Sequence, residues 1–122
     1  MKTSARKTRQ REAIREAFEA SERPLTIEEL VEAAGGVGVA TAYRAVAALL
    51  EEEWLEPVEI PGEPARYERS GKKHHHHFSC ERCARVFDVS GCSENVRKLA
   101  PPRFRVKAHA VTLYGLCSAC AR

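Results

Sequence analysis

The sequence has no apolar run of membrane-spanning length and no segment that resembles a secretion signal. These absences predict a cytoplasmic protein that has no membrane partner. Aromatic residues make up only 7% of the 122 residues, and the formal net charge is only +3. So small a charge excludes a general polycation, and any binding to nucleic acid must therefore come from a local basic patch.

Four of the five cysteines form two Cys-x-x-Cys steps: Cys80 with Cys83, and Cys117 with Cys120. In a chain without an export signal, this spacing is typical of metal ligands rather than disulfides. Four thiolates complete a tetrahedral zinc site. The sequence therefore predicts a structural zinc ion on these four residues. Cys92 is left over, and we interpret it as a buried or inert thiol.

Four consecutive histidines, residues 74–77, directly precede the first cysteine step. They need a separate explanation, because four thiolates already saturate the zinc ion. In a strand, His75 and His77 point to one side and can share a metal ion, while His74 and His76 point to the other side. This pattern favours a metal sensor with a structural zinc. The alternatives are a solvated loop or a purification tag, although tags are usually terminal and longer.

The first half of the chain has a helical pattern followed by a short hairpin pattern. Helices are predicted from residue 8 to 20, from a capping box of Thr26 and Glu29 onward, and from about residue 39 to 53. Strand-like stretches at 55–60 and 66–68 flank a Pro-Gly turn at 61–64. This order predicts a winged helix whose third helix enters the major groove of DNA.

The predicted third helix carries groups that suit DNA. No acidic residue occurs between Glu32 and Glu51. The first eleven residues also contain no acid. Hydroxyl, aromatic and guanidinium groups suit phosphate and base-edge contacts. The candidate DNA-binding residues are Thr41, Tyr43, Arg44, Arg6, Lys7 and Arg11. Alternatively, Tyr43 packs in the core, Arg44 is solvated surface, and the basic N-terminus is a disordered tail.

The second half alternates like strands at 77–80, 85–89 and 103–114, with a short helix at 93–99. The chain is therefore predicted to be α+β: a winged-helix DNA-binding domain (1–70), a hinge (71–73) and a small zinc-bound dimerisation and metal-binding domain (74–122). The second domain has few core residues, so a second copy would cover its sheet. A two-fold homodimer of winged helices implies a palindromic double-stranded DNA operator.

Several motifs together resemble the ferric uptake regulator family. Residues 38–44 (GVATAYR) are similar to its recognition helix, and residues 74–83 (HHHHFSCERC) to its metal-binding hinge. His109 and residues 114–120 (YGLCSAC) resemble its C-terminal strand and zinc ligands, and Thr8 and Arg11 match the start of its first long helix. The resemblance implies a homodimeric transcription regulator whose DNA binding depends on a regulatory metal ion. Most members of the family are repressors.

The resemblance also implies two further metal sites. The regulatory site maps onto Glu68, His75, His77 and Asp88, a donor set that suits iron(II), manganese(II) or zinc(II). The accessory site maps onto His74, His76, His109 and Glu94. The chain around the short helix at 93–99, which carries Glu94, is shortened relative to the family pattern.

The sequence departs from the family pattern at Pro24, where iron and peroxide sensors carry a histidine ligand. Glu68 or Glu56 would then have to link the two domains. Zinc-sensing members often combine a carboxylate at the position of Glu56 with a cysteine at that of Ser70, and here the cysteine is absent. Asp88 matches the aspartate of peroxide sensors. The sequence thus favours iron or peroxide sensing, with zinc uptake control as the alternative.

Two functions of other classes compete with regulation. A zinc enzyme needs an open metal position and a general base, and the sequence has no His-Glu-x-x-His motif or comparable arrangement. A metal storage or chaperone protein would explain the histidines and cysteines, but it would leave the winged-helix pattern unexplained. We therefore expect a regulator and not an enzyme.

Overall fold

The computed structural model describes residues 2–122, except for the side chains of residues 2–5 and 94. It contains two compact units, of which the first ends at Gly71 and the second begins at Lys72. The helices and strands, in chain order, are α1 (Lys2–Ala20), α2 (Ile27–Ala34), α3 (Val39–Glu51), β1 (Leu55–Val58), β2 (Arg66–Arg69), β3 (His75–Cys80), β4 (Val86–Ser90), a 3-10 helix (Glu94–Leu99) and β5 (Thr112–Gly115).

The first unit is a winged helix, and the predicted α+β class is confirmed. Its core lies between the three helices and the β1–β2 hairpin. Ile14 and Leu30 are completely buried, and removing each such side chain from water contributes about 1.5–3 kcal/mol. The predicted capping box begins α2: Thr26 Oγ1 accepts from the Glu29 amide at 3.1 Å, and the Thr26 amide donates to Glu29 Oε1 at 3.0 Å.

The wing is an antiparallel pair in which Glu56 lies opposite Glu68. An isolated bridge fastens it to the helices, because Leu25 and Tyr67 exchange two backbone hydrogen bonds of 2.9 Å. This bridge fixes the position of the segment between α1 and α2. Pro24, directly before it, is fully buried.

The second unit is built on a three-stranded sheet in the order β4-β3-β5. The β3–β4 pair is antiparallel and sets His77 opposite Asp88. The β3–β5 pair is parallel and sets Cys80 opposite Gly115. The central strand β3 therefore carries the histidines at its start and the first cysteine at its end.

Several predicted element boundaries were wrong. α1 begins at Lys2 and not at residue 8, β1 ends at Val58 and not at residue 60, and β3 begins at His75 and not at residue 77. The alternating pattern of residues 103–114 forms a strand only from Thr112, because residues 103–111 have no ladder partner within the described chain. Alternation in the sequence indicates only which side of an extended backbone each residue faces. An extended segment that pairs with no other strand can show the same alternation. The third helix ends at Glu51 and not at Glu53, whose positive φ of 61° stops helical hydrogen bonding.

Among residues 2–122, no single helix is long and apolar enough to cross a membrane. Only α2 and α3 taken together, bent by 107° at their junction, meet that length and composition.

Candidate metal centres and DNA-binding surface

The two Cys-x-x-Cys steps come together at one end of the second sheet. Cys80 ends β3, and a turn closed by the Ala84 amide on the Cys80 carbonyl (3.1 Å) brings Cys83 back toward it. Cys117 follows β5, and a second turn places Cys120 beside it. The four sulfur atoms all lie within 4.8 Å of one another. The parallel pairing of β3 with β5 is what brings these distant steps together.

The spacing of these sulfur atoms fits a tetrahedral zinc ion. Cys83 Sγ lies 3.9 Å from Cys117 Sγ. Zinc–sulfur bonds of about 2.3 Å at tetrahedral angles separate two sulfurs by about 3.8 Å, whereas a disulfide holds them at about 2.05 Å. Cys80 Sγ also accepts the amides of Cys83 and Cys117 at 3.5 and 3.4 Å. Such N–H donors orient and stabilise a ligating thiolate.

The pKa values of Cys80 and Cys120 shift in opposite directions. The amides of Cys83 and Cys117 lower the pKa of Cys80 to about 6. The pKa of Cys120 rises to about 12, chiefly because its side chain is hydrogen-bonded to Cys117 and also because it is desolvated. Adjacent thiolates repel each other, and a dication that binds all four removes that repulsion. The arrangement therefore suits a closed metal site.

A second cluster forms on one side of the β3–β4 pair. The Nε2 atoms of His75 and His77 each lie 3.6 Å from Asp88 Oδ1. That distance is too long for a hydrogen bond. Alternation along β3 places both imidazoles on one side, and the register of β4 supplies the carboxylate opposite His77.

Two details show that this cluster can accept a cation. His75 Nδ1 lies 2.7 Å from the Lys73 carbonyl, which can only accept a hydrogen bond. This contact requires the proton on Nδ1, which in a neutral ring would leave the lone pair on Nε2. Metal-binding histidines are usually oriented in this way. Asp88 Oδ1 is buried and accepts no hydrogen bond from the described residues. A buried carboxylate oxygen without a donor is costly, and a cation would satisfy it.

The carboxylates of the first unit have different environments. Glu68, the predicted fourth regulatory ligand, lies on β2 with only 6% of its surface exposed. Glu56 is exposed, and its Oε1 accepts the Gly71 amide at 3.2 Å.

A third cluster contains a residue that sequence reasoning missed. His74, His76 and His109 were predicted to share an accessory site, and their ligand atoms lie within 4.8 Å of one another. The fourth member of the cluster is Cys92, which the sequence predicts to be a buried or inert thiol. The prediction of burial is wrong. Cys92 is exposed and lies 2.9 Å from His109 Nε2 and 3.3 Å from His76 Nε2.

No local motif marks Cys92, because its approach depends on how residues 91–93 turn back toward β3. The other predicted member of this site was Glu94, whose side chain lies outside the described part of the structure. His76 itself is buried, and this burial, followed by the charges of His74 and His109, lowers its pKa. A neutral imidazole is the form that can ligate a metal.

The predicted DNA-binding residues lie on α1 and α3 of the first unit. Tyr43 is 58% exposed, so the alternative that it packs in the core is wrong. Arg44 is also exposed, and its guanidinium donates to Thr41 Oγ1 at 3.3 Å. Lys7 and Arg11 of α1 line the same groove as Thr41 and Arg44 of α3. Arg6 is exposed on α1.

Residues 2–114 match the model of the ferric uptake regulator family. A curated relative, the ferric uptake regulation protein of Campylobacter upsaliensis, is 30% identical over 122 residues, which cover 93% of this chain and 78% of the relative.

Solved structures show the same fold. A zinc-bound manganese uptake regulator superposes with a TM-score of 0.75 at 24% identity, covering 88% of this chain and 87% of its own. The Helicobacter pylori ferric uptake regulator, described as having three functional metal binding sites, superposes with a TM-score of 0.67 at 22% identity. That match covers 93% of this chain and 80% of the Helicobacter protein.

Proposed function

The chain belongs to the ferric uptake regulator family, and from that premise we propose that it is a repressor that senses iron, or peroxide through bound iron. The members of this family are transcription regulators and not enzymes. The proposed sensor site consists of Glu68, His75, His77 and Asp88.

The observation that carries this proposal is the convergence of two imidazoles on one buried carboxylate oxygen. His75 and His77 each present Nε2 to Asp88 Oδ1 at 3.6 Å. Nitrogen and oxygen donors of this kind suit iron(II), manganese(II) or zinc(II) rather than a soft ion. The bound metal supplies a positive charge that these donors share. The residues supply its position, through the register of β3 and β4.

Metal binding would be coupled to DNA binding through Glu68. This carboxylate belongs to the DNA-binding unit, whereas the other three proposed ligands belong to the second unit. A site that needs donors from both units is complete only in some arrangements of those units. A metal ion held by these residues would therefore shift the population toward these arrangements. Pro24 has no side-chain donor, which leaves Glu68 as the ligand proposed from the first unit.

The partner would be a palindromic DNA duplex bound by two copies of the chain in the cytoplasm. Six large apolar side chains of the second unit are exposed and support the homodimer, since a second copy could remove them from water. They are Leu99, Phe104, Val106, Leu113, Tyr114 and Leu116. Two-fold symmetry of the protein would be mirrored in the two half-sites of the operator.

A zinc ion on Cys80, Cys83, Cys117 and Cys120 would be structural, because four thiolates leave no open position for a substrate or a sensed molecule. It would join the end of β3 to the end of β5 and would stay bound in both states of the regulator.

The choice of the sensed metal depends on Asp88 and Glu56. Asp88 favours iron-based peroxide sensing. Glu56 is the carboxylate that zinc-sensing members often use as a ligand, so control of zinc uptake is the alternative. The test is the DNA affinity of the zinc-loaded protein, measured by fluorescence anisotropy at fixed salt during anaerobic titration with iron(II), and then with manganese(II) and zinc(II). Binding that tightens with iron(II) and is abolished by peroxide only in the iron form supports the proposal. Binding that tightens only with additional zinc assigns a zinc regulator, and binding without any metal response overturns both.

A further inference from the structure

We propose that Cys92 is a metal ligand, and that it forms with His74, His109 and His76 a thiolate-containing site for zinc(II) or a similar borderline ion. This site lies entirely in the second unit and shares no residue with the proposed sensor site. The thiolate takes the place where a carboxylate had been expected.

The distances already approach those of a coordination shell. His109 Nε2 lies 3.1 Å from His74 Nε2 and 2.9 Å from Cys92 Sγ. In a tetrahedral zinc site with bonds of about 2.0 Å to nitrogen and 2.3 Å to sulfur, neighbouring donors are about 3.3–3.6 Å apart. An outward shift of a few tenths of an ångström would make room for the ion. Cys92 and His74 are exposed, so neither must move from the core.

Hydrogen bonds alone explain this cluster poorly. His109 Nε2 faces both His74 Nε2 and Cys92 Sγ, yet it has either one proton or one lone pair to offer. Three imidazole rings also crowd together, with centroid separations of 4.7 Å for His74 with either neighbour and 5.2 Å for His76 with His109. Protonating them would place like charges side by side. A divalent cation satisfies the same lone pairs without that repulsion.

His76 has a different role in the metal-free state. Its Nδ1 accepts the Val111 amide at 3.2 Å, so a neutral ring carries its proton on Nε2, which points at Cys92 Sγ 3.3 Å away. In that tautomer Nε2 has no lone pair to offer to a metal ion. His74, Cys92 and His109 therefore bind the ion first. His76 completes the shell only if its bond to Val111 is released, and otherwise the fourth position stays open to solvent.

This site and the proposed sensor site differ in their donor atoms, and therefore in the metal ions that they suit. A thiolate with imidazoles suits zinc(II), whereas imidazoles with carboxylates also suit iron(II) and manganese(II). Occupation would tie together three segments of the second unit. These are the start of β3, the turn before the 3-10 helix, and residues 103–111, which have no ladder partner within the described chain. The site would thereby order the segment in which exposed Phe104 and Val106 lie.

The test uses cobalt(II) as a spectroscopic probe in the full chain, with the four-cysteine zinc retained and verified by metal analysis. The His75→Ala/His77→Ala background removes the proposed sensor site, so the result does not depend on the proposed function. We expect about one equivalent of cobalt(II) to bind and to produce a near-ultraviolet thiolate-to-cobalt absorption band. Cys92→Ser should abolish the band, and His109→Ala should weaken binding about tenfold or more. A band that survives Cys92→Ser, or no band in the Cys92 protein, would overturn the proposal.

An independent measurement follows the thiol itself. Because Cys92 is exposed, iodoacetamide should alkylate it in the metal-free site, and zinc(II) should slow that reaction at least about tenfold, since a coordinated sulfur is not free to attack. Peptide mass spectrometry reports the rate at Cys92 separately from the four other cysteines. An alkylation rate that zinc(II) leaves unchanged would exclude Cys92 as a ligand.

Discussion

The Lys72 ammonium lies 2.8 Å from Asp88 Oδ2, on the carboxylate whose other oxygen faces the imidazoles of His75 and His77. The lysine thus provides the positive charge that a metal ion would otherwise provide. It neutralises Asp88 in the metal-free protein, and it competes with any cation that the carboxylate binds.

Removing this competitor should tighten metal binding at the proposed sensor site. The ion pair is partly exposed, with side-chain exposures of 30% and 22%, so it contributes about 1 kcal/mol or less. Lys72→Met should therefore lower the dissociation constant for manganese(II), measured by electron paramagnetic resonance, by up to about fivefold. Lys73→Met is the matched control, because only the backbone carbonyl of Lys73 contacts His75. Equal effects of both variants would mean that the change in net charge, and not the loss of the Lys72–Asp88 ion pair, tightens metal binding.

Cys80→Ser should cause the protein to lose one equivalent of zinc and should destabilise the second unit. Cys80 is 1% exposed, and two backbone amides point at its sulfur. A ligand present at a thousandfold its dissociation constant contributes about 4 kcal/mol, which disappears with the site. Zinc analysis and thermal unfolding would measure both losses. Cys92→Ser is the control and should retain the four-cysteine zinc. An equally stable Cys80→Ser protein that keeps its zinc would refute the structural site.

His75→Ala/His77→Ala should separate sensing from folding. Both side chains are only partly exposed, and neither contributes to the sulfur cluster. The double variant should keep its zinc and its oligomeric state, measured by sedimentation, while its DNA affinity no longer responds to iron(II) or manganese(II). His74→Ala is a suitable comparison, because it removes a neighbouring histidine from the opposite side of the strand. A metal response that persists in the double variant would show that sensing occurs elsewhere.

Arg44→Ala should reduce operator binding more than binding to unrelated DNA. Arg44 is exposed on α3, the helix expected to enter the major groove. The loss of a base contact costs about 1–3 kcal/mol of specific binding, whereas the loss of a phosphate contact weakens all sequences alike. Anisotropy on both duplexes, with exposed Arg97→Ala of the second unit as the charge-matched control, would distinguish these cases. Equal losses on both duplexes would assign Arg44 to the phosphate backbone.

The amino-acid sequence by itself determined the local features of this protein. The capping box of Thr26 and Glu29, the alternation of His75 and His77, and the two Cys-x-x-Cys steps depend on neighbours within a few residues, and periodicity or spacing reveals them. The order of helices and hairpin was also sufficient to predict the winged helix.

Tertiary structure decided the features that depend on register and on distant pairing. Asp88 faces His77 because of the β3–β4 register, and Cys117 meets Cys80 because β5 lies parallel to β3. Cys92 lies beside His109 although no spacing rule connects the two residues. The extent of β5 was mispredicted for the same reason. A strand forms only where another strand completes its hydrogen bonds, and the alternation of residues 103–111 carries no information about such a partner.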